Sequence, residues 1–287
     1  MEGKVAIVTD TMNCIPVEEI KRWGIREVPL RIIFENKVYQ DKIELSAGEF
    51  YSMLEKARQL PTTAAPSPGH FLEAYREMSR EASRILCITI SSKLSATFDS
   101  ARVAAEMARE ALSNVVVEVV DCRTAAAAEG FVVLAAARAA AAGKKMDEVI
   151  SAAKNVMNSV QFYAVLDTLK YLIRGGRLNR VAGWAGTLLN IKPIIMLKDG
   201  VVHPAGRART YLEAIKQILE MSKAKIVGKL PLHVSIMHAA DPEKAEELKR
   251  QITSSYDCAE LIVTDLTPVM GVHAGPGIIG LAFYCGE

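Results

Sequence analysis

Ile85-Leu86-Cys87-Ile88-Thr89-Ile90 runs straight into Ser91-Ser92-Lys93-Leu94-Ser95, and a helical pattern follows to Leu112. A short uncharged run bounded by small polar residues is what a strand buried on both faces requires. The same order recurs outward from it. Val5-Ala6-Ile7-Val8 ends at Thr9-Asp10, and Pro16-Val17-Glu18-Glu19 opens a helix, with proline in the first turn and acids against the positive end of the dipole. Val28 to Phe34 reads as a second strand, and Ser46-Ala47-Gly48-Glu49 as a capping box for a helix through about Ala57. Pro61 to Pro68 reads as a polar, proline-rich loop leading into a helix from about Gly69. Val115 to Val120 reads as a strand, and Asp121 to Thr124 then enters an alanine-rich helix ending near Gly143. This βαβα order predicts an α/β fold whose N-terminal sheet is mostly parallel, with helices on both faces.

The second half follows another pattern. Ile191 to Leu197, Lys198-Asp199-Gly200 and Val201 to His203 read as a hairpin with an Asp-Gly turn. Strands are expected at Leu232 to Met237, Leu261 to Asp265 and Ile278 to Tyr284. Helices are expected at about Tyr211 to Met221 and from Pro242 to Ile252. The chain of 287 residues, at roughly 150 per domain, divides near residue 160 into an N-terminal α/β domain, 1–160, and a C-terminal α/β domain with a mixed sheet, 161–287.

Half of the residues are apolar and the net charge is +2, which supports a packed core and argues against a dedicated nucleic-acid binder. Five scattered cysteines give neither a disulfide framework nor a CxxC metal pair, so a cytoplasmic location is expected. The longest apolar stretch, Phe131 to Ala142, is short and contains Arg138, so no membrane span is expected. Charge is uneven: from Lys170 to Arg209 there are eight basic residues (Lys170, Arg174, Arg177, Arg180, Lys192, Lys198, Arg207, Arg209) against one acid, making that segment +7 and the rest −5. The segment is either a solvated face or a site for an anion or an acidic partner.

Hydroxyl clusters fall where strands end: Thr62-Thr63, and Ser91-Ser92 with Ser95. In an open parallel sheet, ligands bind beyond the carboxyl ends of the strands, and helix N-termini there favour a carboxylate or phosphate. Plain N-capping is the commoner use of such residues. No GxSxG elbow or HExxH occurs, and the five histidines lack metal-ligand spacing, so neither a hydrolase constellation nor a metal is expected. Gly275-Pro276-Gly277-Ile278-Ile279-Gly280 matches GxGxxG only literally, since seven residues follow it. It reads instead as a turn where backbone passes close to something, with His273 beside it. Arg174-Gly175-Gly176-Arg177 holds two guanidinium groups together, as an oxyanion site requires.

In this order the motifs resemble the DegV family of bacterial fatty-acid-binding proteins. The matching stretches are Val8-Thr9-Asp10, Pro61-Thr62-Thr63 with Pro66-Ser67-Pro68, and Ser91-Ser92-Lys93-Leu94-Ser95 with Thr97 and Ser100-Ala101. They continue through Asp121, Asp167 to Leu172, Gly175-Gly176-Arg177-Leu178, Asn190-Ile191-Lys192-Pro193, Asp199-Gly200, Arg209-Thr210 and Gly271-Val272-His273 with Gly275-Pro276-Gly277. The resemblance implies a two-domain carrier that buries a long-chain fatty acid such as palmitate in a tunnel, with no other cofactor. It implies that Thr62, Thr63, Ser91, Ser92 and Ser95 meet the carboxylate. It further implies that Arg177, His273 and Arg209 lie near the phosphate or partner when an ATP-dependent fatty acid kinase phosphorylates the acid. Alanine replaces the family's usual polar residue or glycine at Ala64, Ala65, Ala96, Ala126, Ala128 and Ala274. The alternative is an enzyme acting on a small phosphorylated or acyl substrate, with His273 as acid or base.

Overall fold

The structure, a computed structural model, describes residues 3–178, 191–226 and 231–286. Arg180 of the basic segment and Asn190 of the motif series lie outside the described residues. The first part contains β1 (Val5–Asp10), α1 (Val17–Trp23), β2 (Arg26–Val28), β3 (Arg31–Phe34), β4 (Lys37–Gln40), α2 (Ala47–Lys56), β5 (Thr62–Ala64), α3 (Pro68–Met78), β6 (Arg84–Thr89), α4 (Thr97–Ala111), β7 (Val116–Asp121), α5 (Ala126–Ala141) and α6 (Met146–Ser159). After it come β8 (Gln161–Val165), α7 (Lys170–Arg174), β9 (Lys192–Lys198), β10 (Val201–Ala208), α8 (Tyr211–Lys223), β11 (Leu232–His238), α9 (Pro242–Thr253), β12 (Cys258–Asp265), α10 (Pro268–Ala274) and β13 (Ile279–Cys285).

Three sheets form. The first, in the order β2-β1-β6-β7, is parallel throughout. Its residues alternate between two cores, as the two-residue strand period dictates. Ala6, Val8, Ile85 and Cys87 pack with Phe71, Tyr75 and Ala104 of α3 and α4. Val5, Ile7, Leu86 and Ile88 pack with Phe131 and Val132 of α5. The second sheet, in the order β10-β9-β8-β13-β11-β12, is mixed, with only β11 and β12 parallel. Helices α8 and α9 cover one of its faces, while Phe162, Met237 and Ala282 on the other join the α5 core. Helix α5 therefore lies between the two sheets. Its small residues permit this: a Cβ on Gly130 would overlap the Asn13 carbonyl oxygen.

The third sheet, β4-β3-β5, is antiparallel and corrects two sequence expectations. Val28 to Phe34 is not one strand. Pro29 has no N–H and cannot continue the ladder, so Arg26–Val28 joins the parallel sheet and Arg31–Phe34 the small one. Thr62-Thr63 is not loop but part of β5, paired with Ile33 and Ile32. The Asp199-Gly200 turn forms with positive φ at both residues (52° and 80°), the geometry of a tight two-residue hairpin. Among the described residues, no helix is long and apolar enough to cross a membrane.

The interior contains carboxyl groups as well as hydrocarbon. Asp10 accepts from the amides of Met12 (2.9 Å) and Ile90 (2.9 Å), locking together the loops that follow β1 and β6. Burial raises its pKa to about 6, and that of buried Asp41 to about 7. Glu129 is fully buried, neither carboxyl oxygen has a hydrogen-bond partner among the described residues, and burial together with the Asp10 charge holds its pKa well above the ordinary value. Each folded-state pKa lies above its unfolded value, so these groups favour the folded state at low pH, and that contribution is lost as pH rises through the folded pKa. Glu129→Gln removes one such titration. The expected outcome is a gain in thermal midpoint over wild type that is larger at about pH 8 than at about pH 5; equal gains at both would contradict it.

Candidate functional site

An apolar cavity lies beyond the C-terminal ends of the parallel strands, where open α/β sheets bind ligands. Met12 follows β1, Leu30 follows β2, Ile90 follows β6 and Ala125 follows β7, and all four line it. The opposite wall is Phe162 of β8, Ile195 and Leu197 of β9 and Val202 of β10. Helix α10 adds Val269, Met270, His273 and Ala274. About 680 Å³ of unfilled space lies within this lining, part of it open to solvent. Among the described residues, fifteen that line it are apolar and four are polar: Thr63, Ser95, Arg177 and His273. Few polar groups in an apolar enclosure is the usual composition of a small-molecule site.

Two of the four polar residues bond each other, and the other two are held by their surroundings. Thr63 Oγ1 lies 2.9 Å from His273 Nε2. Arg177 Nε donates to the Leu94 carbonyl (3.2 Å), beside Ser95, and its Nη1 donates to the Gly175 carbonyl. Ser95 Oγ is 2.8 Å from Thr97 Oγ1. Burial pulls the His273 pKa down to about 4, with the Arg177 charge adding to the effect, so the imidazole is neutral at neutral pH. His273 Nδ1 is buried without a partner among the described residues. A Cβ on Gly175 would stand 2.6 Å from it, so the glycine lets α7 approach the ring. The turn at Gly275 (φ 77°) passes close to the Tyr171 ring, where no side chain fits.

Thr63, Arg177 and His273 also line a second, more polar cleft, about 530 Å³ by the same measure, together with Thr62, Tyr171, Arg174 and Gly175. These three residues thus stand between an apolar interior and an open basic cleft. Arg174 and Arg177 share that cleft, as the Arg-Gly-Gly-Arg spacing implies.

The other expected head-group residues lie elsewhere. Adjacent strand residues face opposite sides, so Thr62 is exposed on the cleft side while its neighbour Thr63 faces the cavity. Ser91 is buried, but its hydroxyl donates to the Gly200 carbonyl (2.8 Å) and fastens the β9–β10 turn. Exposed Ser92 bonds Asp121. Arg209 is exposed ahead of α8, and lines neither space. The basic segment is dispersed too, with Lys192 paired to Asp167 (2.6 Å). Sequence reasoning missed α10, whose signal was present: Pro268 occupies the first helical position and the Thr267 hydroxyl caps Met270 N.

A family model described as "Uncharacterised protein, DegV family" matches residues 4–285. A DegV domain-containing protein of Streptomyces coelicolor is 36% identical over 283 residues, covering 98% of each chain. Among solved structures, a DegV family protein of Thermus thermophilus, described by its fatty acid binding, superposes with a TM-score of 0.92 at 32% identity, covering 98% of this chain and 99% of that one. DegV of Bacillus subtilis, described as a fatty acid binding protein, gives a TM-score of 0.91 at 30% identity, covering 100% of both chains.

Histidine NMR tests the site's electrostatics directly. His273 is expected to titrate near pH 4, and Arg177→Ala to raise that midpoint without restoring the ordinary 6.5, because burial is the larger cause. A midpoint near 6.5 in the wild type would contradict the burial.

Proposed function

The chain belongs to the DegV family, and on that premise we propose that it is a cytoplasmic carrier which buries the tail of a long-chain fatty acid in the apolar cavity. The carboxylate then meets Thr63, Ser95, Arg177 and His273. The observation that carries this reading is the composition of the cavity, fifteen apolar residues with four polar ones among the described residues. A chain of about 16 carbons buries roughly 10 kcal/mol of gross hydrophobic free energy at about 0.8 kcal/mol per methylene. Ordering the chain takes back part of this. A carboxylate enclosed without donors would cancel the remainder, and two hydroxyls, a guanidinium and a neutral imidazole N–H supply them. Thr62, Ser91, Ser92 and Arg209 are not in this set.

The finer part of the proposal concerns delivery. The open cleft beside Arg174 and Arg177 gives a route by which an ATP-dependent fatty acid kinase reaches the carboxylate, with the arginines steadying the transferred phosphate. On this reading residues 1–160 and 161–287 are the two domains, and the acid is held where they meet. One observation favours the enzyme reading: the Thr63–His273 contact has the spacing of a nucleophile and its base. His273 Nδ1, however, has no orienting partner among the described residues, and a catalytic histidine of that kind requires one.

Organic extracts of gently purified protein are expected to contain long-chain fatty acids, and emptied protein to gain thermal midpoint with palmitate or oleate. Thr63→Val combined with Ser95→Ala is expected to weaken binding tenfold or more, since a hydrogen bond to a charged group is worth about 1.5–3 kcal/mol. Empty protein with no thermal shift would reject the carrier; undiminished affinity in the double variant would reject the head-group assignment. Turnover of an acyl or phosphoryl substrate by the protein alone, abolished by His273→Ala, would support the enzyme instead.

A further inference from the structure

Behind the apolar cavity, away from the Thr63–His273 pair, lies a third space, about 920 Å³ by the same measure and partly open to solvent, walled by Arg123, Gln161, Lys198 and Asp199 together with Met157 and Met196. Leu197 lines both it and the apolar cavity. Two pairs of chain neighbours are divided between the two spaces. Thr124 and Gln161 line this rear cleft, and their chain neighbours Ala125 and Phe162 line the cavity. We infer that Leu197 is the partition that closes the tail end of the cavity and sets the longest acyl chain the protein accepts, an inference that rests on the fatty-acid reading above.

The partition is held in place from both sides. Leu197 pairs across the hairpin with Val202, which lines the same cavity. The turn joining their strands is fastened to the parallel-sheet loops by three contacts. Ser91 Oγ donates to the Gly200 carbonyl (2.8 Å), Lys93 Nζ to the Asp199 carbonyl (2.9 Å), and Arg123 Nη2 to Asp199 Oδ1 (3.1 Å). The buried hydroxyl of Ser91 thus has a structural task, keeping a side chain at the far end of the site at a fixed depth. A tail that meets Leu197 stops there. Beyond it Met157, Val160 and Met196 stand among charged and amide groups, so a longer tail would leave an apolar enclosure for a cleft of mixed polarity, where each methylene gains less.

Each pair of buried methylenes is worth about tenfold in affinity. For the wild-type chain, affinity across myristate, palmitate, stearate, arachidate and behenate is expected to rise by about that step and then break sharply. Leu197→Ala is expected to move the break to a longer acid, and Leu197→Phe to a shorter one, each changing the ratio between neighbouring acids by about tenfold. Affinity that climbs without a break through behenate in the wild type overturns the partition, whether or not either variant folds. So do variants that fold and keep the wild-type break. Failure of the wild type to bind any acid of the series is a separate result, and rejects the carrier reading itself.

Discussion

Thr63 Oγ1 and His273 Nε2 meet at 2.9 Å across 210 residues of chain, and the candidate site depends on that contact. It joins β5 to α10 at the place where an apolar interior gives way to a basic cleft. The histidine in this contact is neutral at neutral pH, because burial and the nearby guanidinium both oppose a proton on its ring. A protonated imidazole there would add a second positive charge beside the half-buried Arg177 guanidinium. The same surroundings that disfavour a second cation favour an anionic guest, since a buried positive charge is best neutralised by an opposite charge bonded to it.

The loops forming the floor of the cavity are held by acids of the interior. Asp10 accepts from Met12 and Ile90, both lining residues, so one carboxylate fixes two walls. Asp41 accepts from Val269 N (3.0 Å), placing the start of α10 against the first half of the chain. These bonds come at the expense of burial, which raises both pKa values towards neutrality. Glu129 shows the cost without the compensation, having no hydrogen-bond partner for either oxygen among the described residues. The α5 core that surrounds it runs through both large sheets, so the cavity lies at the junction of a shared core and not on a hinged surface.

The alternation of strand and helix, the parallel first sheet, the Asp-Gly hairpin and the capping box at Ser46 were legible because each depends on neighbours in sequence. The role of each hydroxyl was not. Thr62 and Thr63 have the same side-chain chemistry, and only strand parity lets Thr63 reach the cavity as well as the cleft while Thr62 lines the cleft alone. Ser91, Ser92 and Ser95 form one cluster in sequence but three situations in space: a clasp on a distant turn, a surface bond to Asp121 and a cavity wall. Pro29 was visible in the sequence, yet its consequence, that one apolar run serves two sheets, depends on where the second partner strand lies.

The sequence by itself determined the α/β class, the parallel N-terminal sheet, and the Arg174–Arg177 and His273 motifs, because periodicity, turn chemistry and short spacings are local properties of a chain. Tertiary structure alone decided which of those residues share a cavity, that Leu197 stands between two spaces, and that β5 is a strand at all. Those facts follow from pairings between segments tens to hundreds of residues apart, and no local pattern specifies the partner.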